Sequence, residues 1–287
     1  MHDVDPGGTL RRDDGGSVLA RVRASPTTSR LLGGLYDPLV TPLRIVNALV
    51  RRLTAASHHL QYKVEGFLRP SAEWFDHELD AQWQWPVRGR FTFLERGVLN
   101  ALSIRPGAEV LELCCGDGFN TGRFYSARAG RVVAIDHNDA ALANARRRHS
   151  RANVEYRSGD VLGELPQGPF DNVIWDSAMH HFTLAEAGEV LAAVHRALRK
   201  DGLLSGYTEI EDTGYAYART RFSDPQGLAA LLEAEFPYVS VIETRDPLRR
   251  NLYFFAADEA RALPFDPGVR RFGAAPDEAR ASTDRLI

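Results

Sequence analysis

The sequence has only two cysteines, little lysine and no long apolar run. The cysteines, Cys114 and Cys115, are neighbours, so they provide no disulfide framework, and we expect a reducing, cytoplasmic setting. No apolar stretch approaches the roughly 18 residues that span a bilayer, and the first residues lack the apolar segment of a secretory signal. We therefore expect no integral membrane segment.

An excess of charge of one sign is also missing. The 287 residues include 35 basic and 38 acidic side chains, for a formal net charge of −3. This balance argues against a protein held to nucleic acid by bulk positive charge. The composition, 44% hydrophobic and 25% charged, is ordinary for a soluble globular protein. The oligomeric state stays open.

Composition divides the chain into four stretches. Residues 1–30 are rich in Gly, Asp, Arg, Ser and Pro and predict a disordered tail. Residues 31–95 predict a helical cap or lid, and residues 96–260 predict the main domain. Residues 261–287 resemble the N-terminal tail in composition, and we expect them to wrap or fray.

One helical face is outlined by apolar residues at spacings of four and three, namely Leu39, Leu43, Val46, Val50 and Leu53. Such a stripe usually docks on a core, which is the interpretation we favour. The alternative is a peripheral contact with a membrane surface.

Two groups of residues, one aromatic and one both aromatic and charged, are candidates for ligand contacts. The first, Trp74, Phe75, Trp83 and Trp85, predicts either core packing or a lid over a ligand. The second follows the fifth predicted strand and indicates either an acceptor-binding segment or an exposed loop. Its residues are Tyr207, Glu209, Glu211, Tyr215, Tyr217, Arg219 and Arg221.

From residue 108 onward, apolar strands alternate with amphipathic helices. This alternation predicts an α/β fold, a three-layer Rossmann-like sheet with helices on both faces. Ligands bind such sheets at the carboxyl ends of the strands. One predicted helix runs from residue 184 to Gly202. The predicted strands are 108–114, 130–136, 153–160, 170–177, 203–210, 238–244 and 251–258.

A glycine-rich turn follows the first strand. The segment passes from Glu112 through Cys114, Gly116, Asp117 and Gly118 into a helix. Glycine is needed where a ligand approaches the backbone closely. Asp117 places a negative charge where a dinucleotide's pyrophosphate would need donors, which argues against a dehydrogenase and suits a cationic ligand.

Carboxylates recur at the ends of the first four strands, as Glu112, Asp136, Asp160 and Asp176. Gathered at one edge they would repel one another, so a cationic ligand with many hydrogen-bond donors gives them a functional reason. Asp136 can accept both hydroxyls of a ribose. The structural alternative is that Asp136 or Asn138 caps the following helix.

These motifs, in this order and spacing, resemble those of the class I S-adenosylmethionine-dependent methyltransferases. The resemblance covers Phe91 to Asp258 and implies seven strands, the last antiparallel. It implies that S-adenosylmethionine is the cofactor, with Cys114 in the place of the family's first glycine. The cofactor residues it implies are Glu112, Cys114, Gly116, Asp117 and Gly118 in the turn, Asp136 and His137 at the ribose, Asp160 and Val161 at the adenine, and Asp176 near the methionine or the acceptor.

The implied reaction is in-line methyl transfer to oxygen or nitrogen of a small molecule. His180 and His181 follow the fourth strand, where a histidine could act as the base, or could simply pack. No zinc-ligand spacing is present, so we expect no metal. Nucleic-acid methylation is the rival reaction, although Asp176 is followed by no proline. A non-catalytic protein that keeps the fold is the other alternative.

Overall fold

The computed structural model describes residues 26–68, 77–78, 81, 92–210, 218–246 and 249–272. The chain divides into two compact units, Met1–Ser57 and His58–Ile287. Residues 1–25, most of the tail predicted over residues 1–30, lie outside the described residues. The aromatic cluster of Trp74, Phe75, Trp83 and Trp85 lies outside them as well.

The first unit contributes most of one long helix. This helix, α1, spans Pro26–Leu68 and contains Pro38 and Pro42 within its length. It begins inside the stretch that was expected to be a tail. The expectation that its apolar stripe is buried is wrong, because the five stripe side chains from Leu39 to Leu53 are between 52% and 71% exposed.

The second unit is built on one sheet of eight strands, in the order β3-β2-β1-β4-β5-β7-β6-β8. β7 is antiparallel to both of its neighbours, and the other pairs are parallel. The predicted Rossmann-like α/β fold is therefore confirmed. The strands are β1 Glu109–Leu113, β2 Arg131–Asp136, β3 Val154–Ser158, β4 Phe170–Asp176, β5 Leu198–Glu209, β6 Tyr238–Asp246, β7 Arg249–Ala257 and β8 Gly268–Phe272.

Helices cover both faces of this sheet, and their caps explain where several of them begin. Asn138 accepts hydrogen bonds from the first-turn amides of α4, and Thr183 forms a capping box with Glu186 at the start of α5. The helices are α2 Thr92–Ser103, α3 Phe119–Arg123, α4 Asp139–Arg148, α5 Leu184–Ala197 and α6 Pro225–Glu233.

Alternation along the strands separates two apolar clusters. Leu111 and Leu113 of β1 belong to the cluster on one face, whereas Val110 belongs to the cluster on the other. Successive strand side chains point to opposite faces, so a parallel strand that is covered by helices is apolar throughout. The middle of β1, β2 and β4 is thereby mostly apolar, and Glu112, Asp136 and Asp176 stand toward the carboxyl ends of these strands.

Two predicted boundaries are corrected. The helix expected to run to Gly202 ends at Ala197, because Leu198 turns to an extended conformation and pairs with Phe170 in the sheet. The C-terminal stretch expected to wrap or fray contains β8, which pairs with β6 and raises the strand count from seven to eight.

Candidate functional site

The turn after β1 is built from left-handed backbone conformations. Cys114, Gly116 and Gly118 have φ angles of 55°, 55° and 72°. A non-glycine residue adopts this conformation at a cost of roughly 1–3 kcal/mol, so Cys114 occupies a position that favours glycine. A Cβ at Gly118 would lie 2.5 Å from the hydroxyl of Tyr156, which leaves room for glycine alone.

Gly116 leaves the outer side of the turn open. Among the residues that the structure describes, a Cβ built there would meet only the His77 ring, at 3.8 Å. The backbone of this turn is therefore accessible to a ligand from one direction, which is what a close-approach glycine provides.

Asp136 ties the end of β2 to this turn. One of its carboxylate oxygens accepts a hydrogen bond from the Gly116 amide at 2.8 Å, and the other accepts from the Asn138 amide at 2.8 Å. Asn138, not Asp136, caps α4. Because each carboxylate oxygen has two lone pairs, Asp136 keeps acceptor capacity for a ligand's hydroxyls.

The strand-end acids lie together, as the topology requires. Glu112, Asp136 and Asp176 are buried on three adjacent strands. Burial, aided by the negative charges of Asp176 and Asp136, raises the pKa of Glu112. The Thr121 hydroxyl donates a hydrogen bond to the Glu112 carboxyl group. Asp160 differs from the other three acids because it is exposed at the rim, where it accepts a hydrogen bond from the Leu162 amide.

Asp117 has a partner that the sequence did not indicate. The backbone N–H of His77 donates to one Asp117 oxygen, and the His77 ring Nδ1 lies 2.8 Å from the other. Burial alone would raise the pKa of Asp117, but the adjacent His77 outweighs it and lowers that pKa. The turn therefore keeps a carboxylate charge, and a segment far upstream in the chain contacts it.

Asp176 is engaged by Arg96, which sequence reasoning also missed. The guanidinium Nε and one terminal nitrogen of Arg96 donate to Asp176 at 3.0 and 2.8 Å, and Asn120 adds a third donor at 2.9 Å. Burial opposes the charge on Arg96, but Asp176 holds the Arg96 pKa above its usual value. No local pattern around Arg96 marks this buried pair, because its partner lies 80 residues away.

The two histidines form a short 3₁₀ turn after β4. Their ring centroids lie 4.2 Å apart, and the carbonyl oxygen of His180 accepts hydrogen bonds from the amides of Arg219 and Thr220. The segment from residue 218 onward, which is part of the predicted acceptor region, is thus joined to the His180–His181 turn. Glu211, Tyr215 and Tyr217 of that region lie outside the described residues, and Tyr207 is fully buried.

Neither cysteine has the character of a nucleophile. Burial and the neighbouring carboxylates raise the pKa of both Cys114 and Cys115, which keeps the thiols protonated. Within the ranges that the structure describes, no group of three His, Cys, Asp or Glu side chains could hold a metal ion.

The hydrogen-bonding groups at this edge fit S-adenosylmethionine. Asp136 offers a carboxylate beside an accessible glycine turn, and Asp160 with the Val161 amide lies at the end of the adjacent strand. His137, next to Asp136, is exposed at the same edge. Carboxylates suit both the ribose hydroxyls and the positive charge of this nucleoside, whereas a diphosphate would require donors.

Comparisons with known proteins bear on the same region. A family model described as a methyltransferase domain matches residues 110–202. An uncharacterised methyltransferase of Synechocystis is 36% identical over 110 residues, which cover 37% of this chain and 50% of that protein. The 24-methylenesterol C-methyltransferase 2 of Arabidopsis thaliana is 26% identical over 116 residues, which cover 39% of this chain and 32% of that protein. The chain thus spans half or less of the length of these relatives.

One solved structure has a similar architecture. The S-adenosylmethionine-dependent methyltransferase SibL, in its apo form, superposes with a TM-score of 0.50 at 15% identity, over 63% of this chain and 59% of that chain. At this identity the likeness concerns the fold alone.

Proposed function

We propose that the protein transfers a methyl group from S-adenosylmethionine to a small molecule, because a methyltransferase-domain model matches residues 110–202 and the Synechocystis methyltransferase is similar over the same region. The observation that carries the proposal is the link between Asp136 and Gly116, which sets a carboxylate beside an open, left-handed glycine turn. Oxygen or nitrogen is the proposed acceptor atom.

Each residue at the strand ends has a distinct part in this proposal. Asp136 would accept the ribose hydroxyls through the lone pairs left by its two backbone donors. Asp160 and the Val161 amide would hold the adenine, and His137 would border the ribose. Glu112 lies buried behind the turn, where its contact with Thr121 fixes the start of α3.

When bound, the cofactor supplies an electrophilic methyl group on a sulfonium, so the protein's task is to align the acceptor and exclude water. Alignment of this kind lowers barriers by up to ~7–11 kcal/mol. Asp176 would hold its place beside the methionine end because Arg96 and Asn120 fix its carboxylate. His180 or His181 would take the acceptor's proton at a ring nitrogen.

Calorimetric titration with S-adenosylmethionine and S-adenosylhomocysteine tests the cofactor assignment. Asp136→Asn should weaken binding by one to two orders of magnitude, since hydrogen bonds to a charged group contribute ~1.5–3 kcal/mol. Asp139→Ala, an exposed neighbour in the first turn of α4, is the matched control and should bind as the wild type does. Equal affinities in the two variants would remove Asp136 from the site.

Turnover to S-adenosylhomocysteine over a panel of acceptors tests the reaction. The panel should contain hydroxylated metabolites, amines, a sterol-type acceptor suggested by the name of the Arabidopsis relative, and a nucleic acid. Product with a small molecule alone supports the proposal, and product with the nucleic acid alone contradicts it. Tight cofactor binding without turnover would instead indicate a non-catalytic protein.

His180→Gln and His181→Gln separate a base from a packing residue. If one histidine takes the proton, its variant should lower kcat while cofactor affinity stays within about twofold, because the cofactor contacts assigned above are elsewhere. Unchanged kcat in both variants would exclude both histidines as the base.

A further inference from the structure

Nine large apolar side chains form one exposed face of α1, here called the α1 apolar face. Each of them is between 52% and 71% exposed: Leu35, Tyr36, Leu39, Leu43, Ile45, Val46, Leu49, Val50 and Leu53. At 3.6 residues per turn they fall within an arc of roughly 180° and extend over about 27 Å of the first unit. An apolar surface of this size is typical of a binding face.

The charged residues of the described first unit lie on the opposite side of the helix and are mainly basic. Arg44, Arg51 and Arg52 lie on it, with Asp37 as the one acidic residue among the side chains described in residues 33–57. A helix with an apolar half and a basic polar half, and with low mean hydropathy, has the composition of helices that lie in a membrane interface. Lys and Arg side chains near such a surface are attracted to anionic lipids.

The shape of the face favours a lipid surface over a second helix. A two-stranded coiled coil buries a narrow seam, whereas this apolar arc covers about half of the helix. Pro38 and Pro42 also lie within it, and each removes a backbone donor and disturbs the regular supercoil that a long helix pair requires. A lipid surface needs neither a narrow seam nor a regular supercoil.

We propose that the α1 apolar face binds the surface of a membrane that contains anionic lipids, with the helix lying parallel to the bilayer. Lying on the surface agrees with the finding that no helix in the described part of the chain is long and apolar enough to cross a bilayer. The proposal concerns the first unit and does not depend on the cofactor site.

The test is flotation of the full chain with vesicles, either of phosphatidylcholine alone or of phosphatidylcholine and phosphatidylglycerol in equal amounts. The wild type should float with the mixed vesicles and less with phosphatidylcholine alone. Leu43→Glu with Val50→Glu should lower the partition coefficient at least about tenfold, since two apolar side chains that would be buried in the lipid are replaced by charged ones.

Thr41→Glu with Ala48→Glu is the matched control, because it adds the same charge to exposed positions on the polar side. It should retain most of the binding, so an equal loss in both pairs would overturn the proposal.

Hydrogen exchange on the wild type gives a readout that needs no variant. Mixed vesicles should protect amides of residues 35–53. The proposal would be overturned if the wild type neither floats nor gains protection. If the wild type is then a dimer, and Leu43→Glu with Val50→Glu makes it a monomer, the α1 apolar face binds a second copy of the chain.

Discussion

His77 contacts both carboxylate oxygens of Asp117, one through its backbone N–H and one through ring Nδ1, each at 2.8 Å. Asp117 is 1% exposed, so this contact satisfies a charge that is almost completely removed from water. A segment that precedes the sheet by more than thirty residues is thereby fixed to the glycine turn. Glu78, the next residue, pairs with Arg123 in α3 and adds a second attachment at the same place.

Replacing His77 with Ala should lower the free energy of unfolding by roughly 1–3 kcal/mol, because the buried Asp117 carboxylate loses a partner. Glu78→Ala is the neighbouring control. It breaks a partly exposed ion pair and should cost no more than about 1 kcal/mol. Urea unfolding of both variants measures the difference, and a smaller effect for His77 than for Glu78 would contradict the importance of the Asp117 contact.

Replacing Arg96 with Met should be more costly, about 3–5 kcal/mol, since it leaves the Asp176 carboxylate buried without its main partner. Removing both charges, with Arg96→Met and Asp176→Leu together, should recover part of that loss because no unpaired charge remains. Arg105→Met, which breaks an exposed pair with Asp201, should change stability by less than about 1 kcal/mol. A double variant less stable than Arg96→Met would contradict this account.

Two glycines should respond to alanine in opposite directions. Gly118→Ala places a Cβ against Tyr156 and Ala145 at a positive φ, and should destabilise the protein by roughly 1–3 kcal/mol. Gly188→Ala adds a Cβ within α5, where no atom of the described residues lies within 4 Å, and should stabilise the protein by about 0.5–1 kcal/mol. Thermal unfolding of the pair checks both signs, and shifts of the same sign would contradict the prediction for one of them.

Acid should weaken the protein partly through Glu243 of β6. Burial would raise its pKa, but Arg250 and Arg245, at 2.7 and 2.8 Å, hold that pKa below its ordinary value near 4.5. A lowered pKa in the folded state means that Glu243 contributes stability above about pH 5, and that this contribution is lost as the pH falls further. Glu243→Gln should be less stable at neutral pH and lose less stability between about pH 5 and pH 3.

Urea unfolding at several pH values measures this difference in slope. Glu233→Gln, at an exposed position on α6, serves as the control and should keep the wild-type slope. A Glu243→Gln variant with the wild-type slope would show that the three arginines around Glu243, which include Arg271, do not stabilise its charged form.

The sheet and its strand-end acids could be predicted because their signals are local. Each strand is a short apolar run that ends near Glu112, Asp136 or Asp176, and parallel topology brings those ends to one edge. The left-handed turn was likewise indicated by Gly116 and Gly118, and by Cys114 through the family resemblance. The assignment of these residues to a cofactor stays a prediction.

What could not be predicted depends on contacts between distant parts of the chain. The pairs His77–Asp117 and Arg96–Asp176 join residues 40 and 80 positions apart, and nothing in a local pattern indicates such a match. The end of α5 was misplaced for a related reason. The amphipathic pattern continues past Ala197, but pairing of Leu198 with Phe170 ends the helix there.

β8 changes which strand lies at one edge of the sheet. It pairs with β6 and is the outermost strand on that side among the strands that the structure describes, so it forms this margin of the sheet. Arg270 and Arg271 lie along this margin and are 36% and 50% exposed. Charged side chains on an edge strand discourage edge-to-edge pairing with a strand of another molecule. The added strand thus gives the sheet an edge whose charged side chains disfavour aggregation by backbone pairing.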